Sequence, residues 1–207
     1  MKLVTKMVLD TNWETVKRAV EDQSMNSGDK LLVTLKNGEN ISLVMAHDQT
    51  GKPFFVFEDC INETRPMNTF NTNKGGWKAT DIRKWLNTVL YELLPDELQA
   101  EIVPTKIVQV LNGKRIEVED KLFLLSKTQL FGKGYWSDIE PEDSQLDIYT
   151  TEKSRVKECA DNGTWFYGLR TPYSGTSNNF CIVSSNGGAS TNNASNGRGV
   201  APGFCIT

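Results

Sequence analysis

The chain ends with SNNFCIVSSNGGASTNNASNGRGVAPGFCIT (residues 177–207), where two short apolar runs enclose a polar middle that is broken by glycine. The apolar runs are residues 180–183 and 204–206. A disordered tail normally carries net charge or proline, and a frayed terminus does not normally end in a run of apolar side chains. The pattern therefore predicts two core strands, at residues 179–184 and 203–206, that hold the polar middle in place.

Residues 171–207 have an unusual composition, with six asparagines, six serines and six glycines but one charged residue, Arg198. Because 24% of the whole chain is charged, about nine charges would be expected in a stretch of this length. Asparagine and serine offer hydrogen-bond donors and acceptors without a charge to desolvate, which suits a displayed binding surface. The alternative is a glycine-rich loop with turns near Gly187-Gly188 and Asn196-Gly197, whose asparagines merely accept a positive φ.

If this stretch is a binding surface, residues 173–198 carry it through their polar and aromatic side chains. The candidate ligand-binding residues are Tyr173, Ser174, Thr176, Asn178, Asn179, Ser184, Asn186, Ser190, Asn192, Asn193, Ser195 and Asn196.

The preceding segments alternate between helical and strand-like periodicity. Apolar residues spaced by three and four predict a short helix after a cap at Thr11 or Asn12, and a longer one over residues 80–93 with Thr80 as its N-cap. Pro95 begins a second short helix, residues 95–102. Period-two stretches surround the pair Asn37-Gly38, a strong hairpin signal. This order predicts an α+β class with short antiparallel sheets, two main helices and long polar loops.

Three further expectations concern the second half of the chain. Asn112-Gly113 predicts another turn between strands. A short helix is expected near residues 151–160. The stretch TWFYGLRTP (residues 164–172) indicates a strand that buries Trp165 and Leu169 in the core.

Charge and length exclude several classes of protein. The chain has 207 residues, 38% of them apolar, and a net charge of -3, which predicts a globular protein and no nucleic-acid partner. The first ten residues, MKLVTKMVLD, lack the apolar run of a signal peptide or membrane span, so we expect synthesis in the cytosol and no membrane insertion. The four cysteines have no C-x-x-C spacing and are expected to be reduced and mostly buried. A disulfide between Cys181 and Cys205 is the alternative.

No motif for catalysis, cofactor binding or metal binding stands out. His47 is the sole histidine, so a histidine-based triad or metal cluster would have to form around that one residue. The acidic stretch SDIEPEDSQLD (residues 137–147) could supply oxygen ligands for calcium, but its spacing is not that of an EF-hand, and a solvated loop is the simpler interpretation. We therefore predict no catalytic residue, no metal and no cofactor. An enzyme is the disfavoured third hypothesis.

Four motifs in order resemble an uncharacterised domain family of Gram-positive bacteria and their phages. They are DIRKWLN (81–87), KLFLLS (121–126), WFYGLRTP (165–172) and GVAPGFCI (199–206). Family members show I-R-x-W-L-N, F-L-L-S, W-W-L-R-S-P and a G-V-R-P ending, and the resemblance spans about residues 28–207. The ending is also similar to the C-type-lectin-like variable proteins of diversity-generating retroelements and to formylglycine-generating-enzyme-type folds. The resemblance implies a C-type-lectin-like α+β domain with a ligand-facing surface near its C-terminus.

Two departures from the family pattern concern local geometry. Tyr167 and Gly168 separate the aromatic pair from Leu169, and Ala201-Pro202 stands where the family has R-P. The nearest arginine is Arg198. If the family arginine anchors the last turn, its displacement changes that turn.

These observations predict an N-terminal helical segment (1–27) and a C-type-lectin-like domain (28–207) that exposes its Ser/Asn/Gly surface at 171–207. The predicted function is host or ligand recognition on a phage or prophage virion, by a surface that a retroelement could diversify. The alternative is a structural tail or capsid-decoration component whose polar tail is a subunit interface. Expected partners are a host-surface protein or glycan, other virion subunits and further copies of the chain, as in a homotrimer. The expected location is the virion, after synthesis in the host cytoplasm.

Overall fold

The computed structural model describes residues 12–134, 136, 139–159 and 162–206. The strands are β1 (Lys30–Thr34), β2 (Asn40–His47), β3 (Pro53–Phe57), β4 (Thr105–Leu111), β5 (Lys114–Asp120), β6 (Phe123–Leu124), β7 (Tyr167–Pro172), β8 (Asn179–Val183), β9 (Ala189–Asn193) and β10 (Pro202–Phe204). The helices are α1 (Trp13–Glu21), α2 (Asp81–Trp85), α3 (Tyr91–Leu93), α4 (Asp96–Glu101), α5 (Lys127–Phe131) and α6 (Glu152–Arg155). The predicted α+β class with short antiparallel sheets is confirmed.

The C-terminal strand lies inside the largest sheet, whose strand order is β1-β2-β3-β10-β6. Gly203 of β10 pairs with Val56 on one side and with Phe123 on the other, both antiparallel. A central position requires a strand with apolar side chains, because both of its edges are hydrogen-bonded and its faces are covered. The predicted closing strand is therefore confirmed, and its apolar composition follows from its place in the sheet.

Helix α1 packs on this sheet through an aromatic cluster. The Trp13 ring lies 6.0 Å from that of Phe55 and 6.4 Å from that of Phe204, while Phe55 and Phe204 stack at 5.6 Å. Asn12 caps the helix by accepting a hydrogen bond from the Thr15 amide at 3.0 Å. The start of the described chain thus shares one core with its end, and the predicted division after residue 27 stays a prediction.

The long helix predicted over residues 80–93 is present but irregular. The Thr80 side chain accepts from the Arg83 amide, as expected of the N-cap, and α2 then passes through a π-helical turn (Leu86–Leu90) into α3. A π turn advances the apolar stripe relative to a regular α-helix. Leu86 and Leu90 are buried, whereas Val89, which the stripe also included, is 50% exposed.

A second sheet, β7-β8-β9, contains most of the polar C-terminal stretch. The predicted strand at 179–184 is β8, and it pairs with β9 from Asn179↔Asn193 to Val183↔Ala189. Sequence reasoning missed β9 because its residues, ASTNN, include one β-branched side chain, Thr191, while alanine and asparagine are depleted in strands. The polar stretch is therefore mostly a hairpin and its turns.

Two local expectations about the second half hold only in part. The helix expected near 151–160 covers only α6, since Val156 already has extended backbone. Trp165 is 36% exposed and stacks on Phe166 at 5.0 Å instead of entering the core, while Leu169 is fully buried as predicted.

The cysteines also require a correction. Cys60 and Cys159 form a disulfide, with their Cα atoms 4.7 Å apart, and Cys181 and Cys205 are free and buried. The Cys60 amide bonds to the Glu158 carbonyl at 2.9 Å, so a backbone contact brings the two half-cystines together. Spacing along the chain does not reveal such pairing, because it is spatial. Among the described helices, none has the length and apolar content needed to cross a membrane.

Candidate ligand-binding cleft

The structure separates the twelve predicted binding residues into two groups. Ser184 and Asn186 lie at the β8–β9 turn, whereas Asn179 and Asn193 pair at the opposite end of the hairpin. Strands rise about 3.4 Å per residue, so the two ends are about 14 Å apart. Ser190 lies between them. The end with Asn179 and Asn193 also carries the other seven residues, namely Tyr173, Ser174, Thr176, Asn178, Asn192, Ser195 and Asn196.

The β8–β9 turn is fixed to a neighbouring helix. Gly187 has φ +85°, and a Cβ at this position would lie 1.9 Å from the Glu152 carbonyl oxygen. The Arg155 Nε donates to the Gly187 carbonyl at 2.9 Å. Only glycine fits such a close approach with a positive φ. The turn is therefore fixed against α6 and does not belong to the surface at the other end of the hairpin.

Arg198 anchors the other end of the hairpin. Its guanidinium is fully buried and donates to the carbonyl oxygens of Asn193 and Asn196. Asn192 and Asn196 also bond to each other, with Nδ2 to Oδ1 at 2.8 Å. The arginine of the chain's last turn therefore performs an anchoring role from position 198, and the Asn192–Asn196 pair stabilises the turn.

A loop from the middle of the chain completes this end. The Asn73 side-chain amide donates to the carbonyl oxygens of Tyr173, Thr176 and Asn179, at 3.0, 2.8 and 2.9 Å. Its backbone amide donates to the Ser177 carbonyl at 2.9 Å. One asparagine thus holds the loop after β7 in a defined shape.

Together these loops and the β4–β5 hairpin enclose a cleft of about 850 Å³. Its described lining residues are Asn71, Thr72, Asn73, Lys74, Gly75, Val110, Leu111, Asn112, Lys114, Arg115, Ile116, Ile139, Pro172, Tyr173, Ser174, Thr176 and Ser177. Volumes of about 300–1,000 Å³ are usual for small-molecule sites. We call this feature the cleft.

A buried amide lies beneath the cleft and joins its walls. Gln109 of β4 accepts from the Trp77 amide at 2.9 Å and donates to Glu140 at 3.1 Å and to the Arg170 carbonyl at 3.2 Å. Glu140 is 1% exposed, and burial, partly offset by Arg170, raises its pKa to about 7. Three segments of the cleft wall are therefore tied to one polar centre.

An aromatic pair stands at the side of the cleft. Tyr173 lines it, and the ring of Trp136 lies 5.5 Å from the Tyr173 ring at an interplanar angle of 62°. Trp136 is 49% exposed. Phe70, next to the lining residue Asn71, is 78% exposed. These exposed aromatic side chains add apolar surface beside a polar cleft.

The described charged side chains that line the cleft are all cationic. The described lining residues include three cations and no carboxylate. Arg115 pairs with Glu117 and Glu142. Lys74 and Lys114 are exposed and form no ion pair within the described part of the chain. Two cations are therefore available to a ligand.

Two smaller cavities are weaker candidates for a ligand-binding site. One of about 370 Å³ contains the Arg83–Asp120 ion pair, whose carboxylate also accepts from the Trp77 indole at 2.7 Å, so its charges are already matched. The other, about 190 Å³, lies above the Arg170–Asp143 pair. Neither includes a predicted binding residue.

His47 belongs to a surface cluster with Ser27 and Asp147. The Ser27 hydroxyl lies 2.7 Å from His47 Nδ1 and donates to Asp147 at 2.5 Å, while His47 Nδ1 is 3.9 Å from that carboxylate. In a catalytic triad the imidazole stands between serine and carboxylate. Here the serine does, and the cluster joins β2 to the 144–149 segment. No group of three or more potential metal ligands occurs among the described residues, which do not include Asp138.

Sequence reasoning found three of the cleft residues, Tyr173, Ser174 and Thr176, and missed the two other walls. The Asn112-Gly113 turn was visible from the sequence, but nothing in its composition, or in that of residues 71–75, indicates that these segments face residue 173. Their meeting depends on the fold alone.

Comparison with protein-family models identifies the domain of unknown function DUF6273 over residues 51–207. The chain therefore belongs to this family, and the match includes the cleft. Searches of curated proteins and of solved structures found no match.

Proposed function

We propose that the chain is a ligand-binding protein, with a C-type-lectin-like arrangement, that displays the cleft on a phage or prophage virion to recognise a host surface. The observation that carries the proposal is the cleft itself, an open volume of about 850 Å³ bounded by polar loops. Its walls come from three distant parts of the chain. Such convergence of polar groups on one cavity is typical of a binding site.

Preorganisation supports this function. Asn73, Gln109 and Arg198 hold the surrounding loops through hydrogen bonds to backbone groups. A loop that is ordered before binding loses less conformational entropy when the ligand arrives. A surface with fixed backbone and small polar side chains also tolerates replacement of those side chains, as diversification by a retroelement would require.

The virion setting is supported by the resemblance of the sequence motifs and by the Cys60–Cys159 disulfide. Disulfides persist in oxidising surroundings and are rare in the cytosol. A particle released by lysis meets such surroundings, whereas its subunits need no export signal.

The test is a pair of matched substitutions. Ser174 is exposed and lines the cleft, and Ser185 is exposed in the turn at the opposite end of β8. Fluorescently labelled Ser174→Trp and Ser185→Trp chains are compared with wild type for binding to a panel of intact Gram-positive cells. We expect Ser174→Trp to abolish binding by filling the cleft and Ser185→Trp to leave it unchanged. Equal binding by all three chains would refute the proposal.

One observation supports the alternative that the chain is a structural virion component with a subunit interface. Phe70 and Trp136 are both exposed near the cleft. Such side chains also suit a subunit interface. Truncation at residue 171 would remove β10 from the central sheet and so destroy the fold. Light scattering on wild type and Phe70→Ser is the better test, and a Phe70-dependent oligomer without cell binding would favour this alternative.

A further inference from the structure

We infer that the ligand of the cleft is an anionic glycan, whose sugar ring packs beside Tyr173 and Trp136 and whose acidic group is bound by Lys74 and Lys114. This inference rests on the proposed function and names the chemical class of its ligand. Three features of the cleft support it.

The first feature is the aromatic pair. Tyr173 and Trp136 meet edge to face at the side of the cleft, and the Trp136 side chain is 49% exposed. Sugar rings present flat C–H faces that pack on aromatic side chains, because both surfaces are apolar. A small inorganic anion would make no use of such a surface.

The second feature is the set of uncharged hydrogen-bonding groups. Asn71, Asn112 and Ser174 are exposed and line the same cleft. Amides and hydroxyls both donate and accept, which matches the hydroxyl groups of a sugar. The polar lining therefore fits a polyhydroxylated ligand better than an apolar one.

The third feature is the pair of unmatched cations. The carboxylates that could neutralise this part of the surface, Glu117 and Glu142, already bind Arg115 and Lys106. Lys74 and Lys114 have no such partner within the described residues. A phosphate or carboxylate on the ligand would supply the missing counter-charge.

Single-stranded nucleic acid also combines rings with negative charge, but the charge distribution disfavours it. Nucleic-acid channels follow the backbone with many cations. The chain has a net charge of -3, and Glu117 and Glu142 stand next to the cationic wall of the cleft. Two free lysines suit one or two acidic groups on a glycan.

The experiment compares acidic with neutral glycans on the full chain. The acidic probes are a galacturonic acid trisaccharide, a hyaluronan tetrasaccharide and wall teichoic acid. A galactose trisaccharide and a chitin trisaccharide are the neutral probes, and an oligothymidine is the nucleic-acid probe. Binding is followed by calorimetry and tryptophan fluorescence, for wild type, the double variant Lys74→Ala/Lys114→Ala and the control Lys84→Ala/Lys153→Ala. Both double variants remove two exposed lysines, so their net charges are equal.

We expect at least one acidic probe to bind about tenfold more tightly than either neutral probe. The cleft double variant should weaken it about tenfold, as should raising the salt from about 50 mM to about 500 mM, whereas the control variant should not. The inference is overturned if acidic and neutral probes bind equally, if oligothymidine binds best, or if no glycan binds. In each of these cases Ser174→Trp still decides the proposed function separately, because loss of cell binding by that variant does not depend on the class of ligand.

Discussion

The side-chain amide of Asn73 donates a hydrogen bond to the carbonyl oxygen of Tyr173, one hundred residues further along the chain, at a distance of 3.0 Å. The same nitrogen also lies within 3.0 Å of two other carbonyl oxygens in that segment. The loop's own hydrogen bonds, from the Tyr173 amide to the Asn179 carbonyl and from the Asn179 amide to the Thr176 hydroxyl, are therefore supplemented by a distant side chain. The shape of the cleft depends on this contact.

Asn73→Ala should lower the free energy of unfolding by about 1–3 kcal/mol, because it removes three hydrogen bonds to the loop and leaves the partly buried Tyr173 carbonyl without its Asn73 donor. It should also weaken ligand binding, since the loop after β7 loses its shape. Urea denaturation and the cell-binding assay measure the two effects. Asn71→Ala is the control for stability alone, since Asn71 lies in the same loop and is exposed but also lines the cleft. Equal stability of the two variants would show that Asn73 does not hold the loop.

Arg198→Ala should destabilise the protein by about 3–5 kcal/mol. The buried guanidinium donates to the carbonyls of Asn193 and Asn196, so its removal takes away these hydrogen bonds and leaves a cavity inside the protein. Burial also lowers the pKa of Arg198 to about 10. Thermal and urea unfolding test this expectation. Arg18→Ala, at an exposed helical position, should change stability by less than about 0.5 kcal/mol. A similar small effect at position 198 would contradict the anchoring role.

Glu140→Gln should remove part of the pH dependence of stability. Burial raises the pKa of Glu140 from 4.5 to about 7 in the folded protein. The folded state therefore binds the proton more tightly than the unfolded state does, so the favourable contribution is complete below pH 4.5 and is lost as the pH rises through 7. The stability of wild type relative to the variant should fall by about 3 kcal/mol between about pH 4 and about pH 8.

Glutamine is the matched replacement because it imitates the protonated acid and can still accept from Gln109 and Thr171 at the same oxygen. Unfolding curves for both proteins across this pH range provide the measurement. Parallel pH profiles would mean that Glu140 is not protonated more readily in the folded state.

Cys60→Ser/Cys159→Ser should lower stability by about 2–5 kcal/mol, because the disulfide closes a loop of 99 residues in the unfolded chain. A reducing agent should have the same effect on wild type and none on the variant. Cys181→Ala is the control, because Cys181 is a buried free thiol. The stability of this variant should respond to reductant as that of wild type does. Peptide mapping by mass spectrometry identifies the linked pair, and an unlinked pair under oxidising conditions would be contrary to expectation.

The C-terminal strands illustrate how far local patterns can predict structure. Phe180–Val183 and Phe204–Ile206 were recognisable as core strands because short apolar runs between turn residues are typical of buried strands. The capped helix after Thr80 and the hairpin at Asn37-Gly38 were predictable for similar reasons. Strand β9 was not, since its polar sequence forms a strand only because β8 lies beside it.

The candidate binding residues show the same limit. Twelve residues were selected by composition, and composition does not distinguish the two ends of a hairpin. Ser184 and Asn186 consequently lie away from the cleft, while Asn192 and Asn196 bond to each other. Lys74 and Lys114, which give the cleft its charge, belong to segments whose composition does not indicate a binding site.

The sequence by itself determined the class of fold, the strands that end the chain and the uncharged character of the surface between them, because these follow from local periodicity and composition. Tertiary structure alone decided that Cys60 meets Cys159, that Asn73 holds the loop at Tyr173, and that two lysines from separate loops share one cleft. Each of these pairings joins residues many positions apart, and no local preference of either partner specifies the other.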